Sequence, residues 1–176
     1  MLHRSEQRLL MAVLICGLLG PGLGSLHART PEPLDWSTYK GAWFEIKYPA
    51  EFTPRPSLKS ISSDDKFDSV FFTAADGSVE FYVFAPQWNG TPSDIELDDL
   101  KESPLSRDEQ KTGDVIIRRV TVAARDSSYI RAFEETENVK LNIKRVFGIR
   151  YRDQKAYDKY RQMYLKFKSS LRQSSD

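Results

Sequence analysis

Three β-rich runs between residues 115 and 151 follow one another across very short gaps, and that spacing restricts the fold more than any other feature. The runs are 115–124, 128–136 and 139–151, joined at Arg125-Asp126 and Glu137-Asn138. A parallel crossover needs a dozen or more residues, so these connections force antiparallel neighbours. In the third run Val139, Leu141 and Ile143 alternate with Lys140, Asn142 and Lys144, which predicts a strand with one buried face.

The upstream chain adds strands of the same kind. Phe44, Ile46 and Tyr48 alternate with Glu45 and Lys47 until Pro49 stops the run. Residues 70–74 and 79–84 flank Asp76-Gly77, a hairpin signal because both residues tolerate positive φ. Pro54 and Pro56 predict an irregular stretch, 58–61 a short strand, and 86–92 (PQWNGTP) a loop. Ser93 as N-cap, with Ile95 and Leu100 as apolar contacts, predicts one or two helical turns over 93–101.

The chain closes with a helix predicted from Asp153, its N-cap, to Arg172. Tyr157, Tyr160, Tyr164, Phe167 and Leu171 recur at spacings of 3, 4, 3 and 4 and occupy an arc of about 80°. Lys155, Lys159, Gln162 and Lys166 lie opposite, while Lys168 falls near the apolar stripe and has to snorkel. The arrangement that buries both this stripe and one sheet face is an α+β fold: a central antiparallel β-sheet of about six strands covered by the C-terminal amphipathic helix.

The first 28 residues read as a secretory signal peptide. Arg4 and Arg8 precede the apolar run 9–19, then Gly20-Pro21-Gly22 and a small-residue stretch to Ala28. Eleven helical residues span about 16 Å, half a bilayer core, which favours a cleaved leader over an anchor. Cleavage after Ala28 is the first choice and after Gly24 the alternative. The expected organisation is then signal peptide 1–28, Pro-rich linker 29–35, one α+β domain over 36–172 and a tail 173–176.

That reading decides which chemistries are open. His3, Cys16 and His27 are the only histidines and cysteine, and all three fall in the leader. Removing 28 of the 176 residues leaves 148, with 24 basic and 24 acidic residues once Arg4, Arg8 and Glu6 are gone. Serine–histidine and cysteine–histidine catalysis, structural zinc and disulfides are excluded by inventory. Net neutrality argues against a nucleic-acid binder held mainly by charge. No cofactor is expected, and contact with a membrane only through the signal peptide.

Charge is nevertheless uneven. Residues 140–172 hold 11 basic residues against Asp153 and Asp158, whereas 29–100 hold 13 acidic against 6 basic. The basic helix face (Lys155, Lys159, Lys166) and the loop aromatic Trp88 are therefore the candidate partner-binding residues. Solvated helix charges and a tryptophan capping the sheet edge are the plainer alternatives. Asn89-Gly90-Thr91 matches a glycosylation acceptor but precedes Pro92. Asp64, Asp65 and Asp68 form an acidic loop without the spacing of a calcium loop. Asp98-Asp99 and Glu134-Glu135 are paired carboxylates, but strand neighbours such as Glu134 and Glu135 point to opposite faces and cannot share a site. No G-x-S-x-G occurs.

The opening strand Phe44-Glu45-Ile46-Lys47-Tyr48-Pro49, followed by Phe52, resembles the F-x-I-x-Y-P start of PsbP-like domains. These include the photosystem II extrinsic protein and many small bacterial envelope proteins. The ending is similar too: strand 147–151, the aromatic helix, then Lys168-Ser169-Ser170-Leu171. Phe52 stands where that family usually has Trp. The resemblance implies an α/β/α sandwich and a non-catalytic binding or assembly role, and it carries over no catalytic residue. The sequence thus predicts an exported, periplasmic or secreted, monomeric module that docks an envelope protein. The alternatives are a carrier of a small ligand or lipid in a pocket between sheet and helix (Phe, Tyr and Trp total 21 residues), and a hydrolase using Ser, Lys and carboxylates alone.

Overall fold

The computed structural model describes residues 35–174, which belong to one compact unit; the leader and all of the linker but Asp35 lie outside them. Ten strands and one helix follow in order: β1 (Trp36–Lys40), β2 (Phe44–Pro49), β3 (Thr53–Pro56), β4 (Ser69–Thr73), β5 (Val79–Phe84), a 3-10 turn (Ser93–Ile95), β6 (Glu102–Thr112), β7 (Val115–Ala124), β8 (Ile130–Asn138), β9 (Ile143–Tyr151), α1 (Gln154–Ser169) and β10 (Arg172–Gln173). Seven strands form one antiparallel sheet in the order β3-β4-β5-β9-β8-β7-β6, and β1-β2-β10 form a second. The α+β class and the antiparallel sheet with its C-terminal helix are therefore as the alternation and short turns predicted.

Period-two alternation sorts the large sheet into two faces. On one, Val70, Phe72, Val79, Phe81, Val83, Phe147 and Ile149 meet Phe44 and Ile46 of the small sheet and Tyr160, Tyr164 and Phe167 of α1. Phe167 sits at the centre, its ring centroid 5.3–5.4 Å from those of Phe72 and Phe81. Among the described residues α1 is the only α-helix, so the other face has no helical layer. It carries a smaller cluster of Tyr82, Phe84 and Val146, with Phe133 and Ile95 packed on it. Gly148 belongs to this face because a Cβ there would stand 2.6 Å from the Phe133 ring.

The helix begins where the cap predicts: Asp153 accepts a hydrogen bond from the Ala156 amide at 2.8 Å. It stops at Ser169, and Arg172 and Gln173, expected as the helix end and the first residue of the tail, pair instead as β10 against β2. Lys168 snorkels to Glu134 at 2.7 Å. No helix among the described residues is long and apolar enough to cross a membrane.

Several local expectations fail for identifiable reasons. The Pro54/Pro56 stretch is strand β3, tolerated because it is a sheet edge. The strand expected over 58–61 is a single bridge, Lys59 to Phe67. The helical turns over 93–101 shrink to Ser93–Ile95. Residues 139–142 are a turn in which Asn142 has φ 53°, so Val139 and Leu141 are exposed rather than core. The longest strand, β6, drew no expectation at all, because past Glu102 and Ser103 its residues are exposed and no apolar alternation is imposed on them.

Candidate functional site

The uncovered face of the large sheet is where side chains of different strands converge on open space. Its central row runs Val120, Phe133, Gly148, Tyr82, Phe71 across β7, β8, β9, β5 and β4. On one side the row Pro104, Val122, Arg131, Arg150, Glu80 runs parallel to it, and on the other Glu109, Arg118, Glu135, Val146, Phe84. Over β6–β8 these rows floor a groove of about 750 Å³ whose apolar lining includes Val120, Val122 and Phe133. Ile95, the last residue of the 3-10 turn, and Leu97 just after it wall it, and Arg107, Arg118 and Arg131 supply its cations.

Arg131 positions that wall. Its guanidinium donates to the carbonyls of Ile95 (3.0 Å) and Glu96 (2.9 Å) and to the Glu102 carboxylate, and it lies over the Phe133 ring. Its Nε is buried without an acceptor. Glu102, with a side chain 3 % exposed, also accepts from Tyr129 Oη (2.8 Å) and the Asp98 amide (3.1 Å). Burial works against its charge, but these donors outweigh burial and hold the carboxyl below the usual glutamate range.

A lowered folded pKa means that Glu102 contributes stability above the unfolded pKa of about 4.3 and loses it as pH falls through the folded value. Glu102→Gln is therefore expected to lower the thermal midpoint at neutral pH and to narrow its gap to the native protein as the pH falls towards about 3, in melts across that range. A gap that does not narrow overturns the assignment.

A second charge cluster of this face centres on Arg118. Arg118 donates to Glu109 (2.8 Å), Glu135 (2.6 Å) and Glu137 (2.7 Å), and Lys144 stands 3.4 Å from Glu135. Glu134 lies on the opposite face, held by Arg119 and Lys168, so the two glutamates do not share a site, as strand geometry predicted. Asp98 and Asp99 do not form a pair either. The Asp98 carboxylate caps the Leu100 and Lys101 amides, while Asp99 offers its carbonyl to Arg125. Among the described residues no group of three or more His, Cys, Asp or Glu is placed to hold a metal ion.

The residues singled out from sequence do not form one patch. Lys155, Lys159 and Lys166 are exposed on α1, on the covered side of the sheet. Lys159 meets Asp76 at 3.0 Å, and Lys166 lies 4.5 Å from the centroid of the Trp36 ring. Asp76 itself accepts from Ser78 and Tyr160, so the predicted hairpin turn also latches the β4–β5 hairpin to the helix. Trp88 lines a recess with Phe84, whose ring belongs to the cluster on the other face. The groove itself escaped sequence reading. Its residues come from five separated segments, and no local pattern marks a face that is open.

The class defined is an α+β module with a filled sheet–helix core on one side and an arginine-bearing apolar groove on the other. No family model matches the sequence, and neither does any curated protein. Among solved structures the chain is similar to cyanobacterial PsbP (CyanoP) from Synechocystis sp. PCC 6803, with 13% identity over 89% of this chain and 98% of that one, and a TM-score of 0.48. It is also similar to the Saccharomyces cerevisiae Ran-binding protein Mog1p, with 9% identity over 82% and 97% of the two chains and a TM-score of 0.43.

Proposed function

We propose that this chain is an exported, non-catalytic binding module that docks a protein partner of the cell envelope on the open face of its large sheet. The observation that carries the reading is the groove: an apolar floor and wall in which Leu97 is 42 % accessible, with Leu105, 59 % accessible, following the lining residue Pro104 in the chain. Exposed apolar residues beside a concave surface are what a partner covers. The carboxylates of Glu102, Glu109, Glu135 and Glu137 are engaged by arginine, which suits recognition better than proton transfer.

A carrier using the sheet–helix seam finds little support. Phe72, Phe81 and Phe167 fill that seam with no measurable exposure. In this reading Lys155, Lys159 and Lys166 do not make the central contact; they add long-range attraction for an acidic partner.

The test is capture of the partner from an envelope extract by the tagged exported form. A Leu97→Asp/Leu105→Asp double variant is expected to reduce capture roughly tenfold or more while leaving the thermal midpoint nearly unchanged, since both residues are exposed. Lys155→Glu with Lys159→Glu and Lys166→Glu is expected to weaken capture in low salt and to matter little in high salt. Capture of the same protein in full by the groove variant would remove the proposal.

A further inference from the structure

A second recess lies beside the groove, between the 58–62 and 84–93 segments. It encloses about 480 Å³, within the range of small-ligand sites. Its walls include Leu58, Ile61, Phe84, Pro86 and Trp88, and Trp88 is 46 % exposed. A tryptophan held open in a loop of turn-forming residues has not found a place in the core.

The same recess is lined by one acidic residue, Asp68. Asp68 is 7 % exposed, and its Oδ1 is buried with no hydrogen-bond partner among the described residues. Its backbone is fully used, the amide donating to Leu58 and the carbonyl accepting from Ala85, so the residue is fixed in position. Lys59 lines the recess too, yet no ion pair joins it to Asp68. Buried polar atoms are nearly always satisfied, and a buried carboxylate oxygen left bare needs a counter-group. Burial pushes the Asp68 carboxyl up from its ordinary value, with Ser60 pulling the other way, which is the strain a bound cation would relieve.

We infer that this recess binds a small organic ammonium ion, its charge set against Asp68 and its apolar body against Trp88 and Phe84. An indole face attracts such cations as well as packing their carbon skeletons. A hard metal ion fits poorly, because Asp68 is the only carboxylate lining the recess and leaves a divalent charge unbalanced. The site differs from the docking groove, so its failure and the failure of the groove reading are separable.

The experiment titrates the full exported chain with n-butylammonium chloride and follows the Trp88 indole resonance by NMR, assigned by its loss in Trp88→Phe. Saturable shifts with a dissociation constant of about a millimolar or tighter are expected, while n-butanol, which lacks the charge, gives none. Asp68→Asn should weaken binding roughly tenfold or more. Trp88→Ala, at an exposed loop position that should leave the fold intact, should weaken n-butylammonium binding as well, read from amide shifts around the recess. Lys59→Met, which removes a like charge from the recess lining, should tighten it. No saturable shift, equal binding of n-butanol, or full binding by both Asp68→Asn and Trp88→Ala would overturn the assignment.

Discussion

Replacing Arg131 with alanine is expected to destabilise the protein by about 3–5 kcal/mol, the cost of removing one partner of a buried ion pair. Its side chain is 13 % exposed and that of Glu102 only 3 %. The loss strands the Glu102 carboxylate with two neutral donors and releases the carbonyls of Ile95 and Glu96. Urea unfolding of Arg131→Ala, read by near-UV circular dichroism, measures the effect. Arg131→Lys should recover only part of it, because an ammonium cannot serve the two carbonyls and the carboxylate in one plane. Replacing both partners, as Arg131→Met/Glu102→Leu, should cost less than the single change, because no charge then stays buried alone. If Arg131→Ala unfolds like the native protein, the guanidinium does not hold the groove wall.

Phe167→Ala is the other large effect, at about 3–5 kcal/mol. Phe167 has no exposure and contacts the rings of Phe72, Phe81, Phe147 and Tyr164. These neighbours belong to β4, β5, β9 and α1 itself, so the void would open where helix and sheet meet and could not collapse without moving a strand. Phe167→Leu, which retains most of the volume, should cost clearly less. A loss below about 1 kcal/mol for Phe167→Ala would mean that the seam is loosely packed and would return the carrier reading to consideration.

Legibility from sequence follows burial. Strands and helix that bury one face carry that demand in their residue pattern, as the alternation at Phe44, Ile46 and Tyr48 and the aromatic stripe of α1 do. Where no burial is demanded the pattern is silent or misleading. The edge strand β6 is nearly all exposed beyond its first two residues, and the Val139/Leu141 alternation falls in a turn that leaves both side chains in water. The recess shows both cases. Trp88 was legible because a large aromatic in a loop of turn formers is locally odd. Asp68 was legible only as one of three loop acids, since its isolation depends on what packs around it.

The amino-acid order alone determined the antiparallel connections, the helix start at Asp153, the stripe that α1 buries, and the opposite orientation of Glu134 and Glu135, because each is set by neighbours within a few residues. Tertiary structure alone decided that one sheet face would be sealed and the other left open, that Arg131 would clamp Ile95, Glu96 and Glu102, and that Trp88 and Asp68 would line one recess. Those outcomes join residues 20 to 36 positions apart. Only the packing of whole elements brings such residues together, and no local periodicity encodes which face a remote segment will cover.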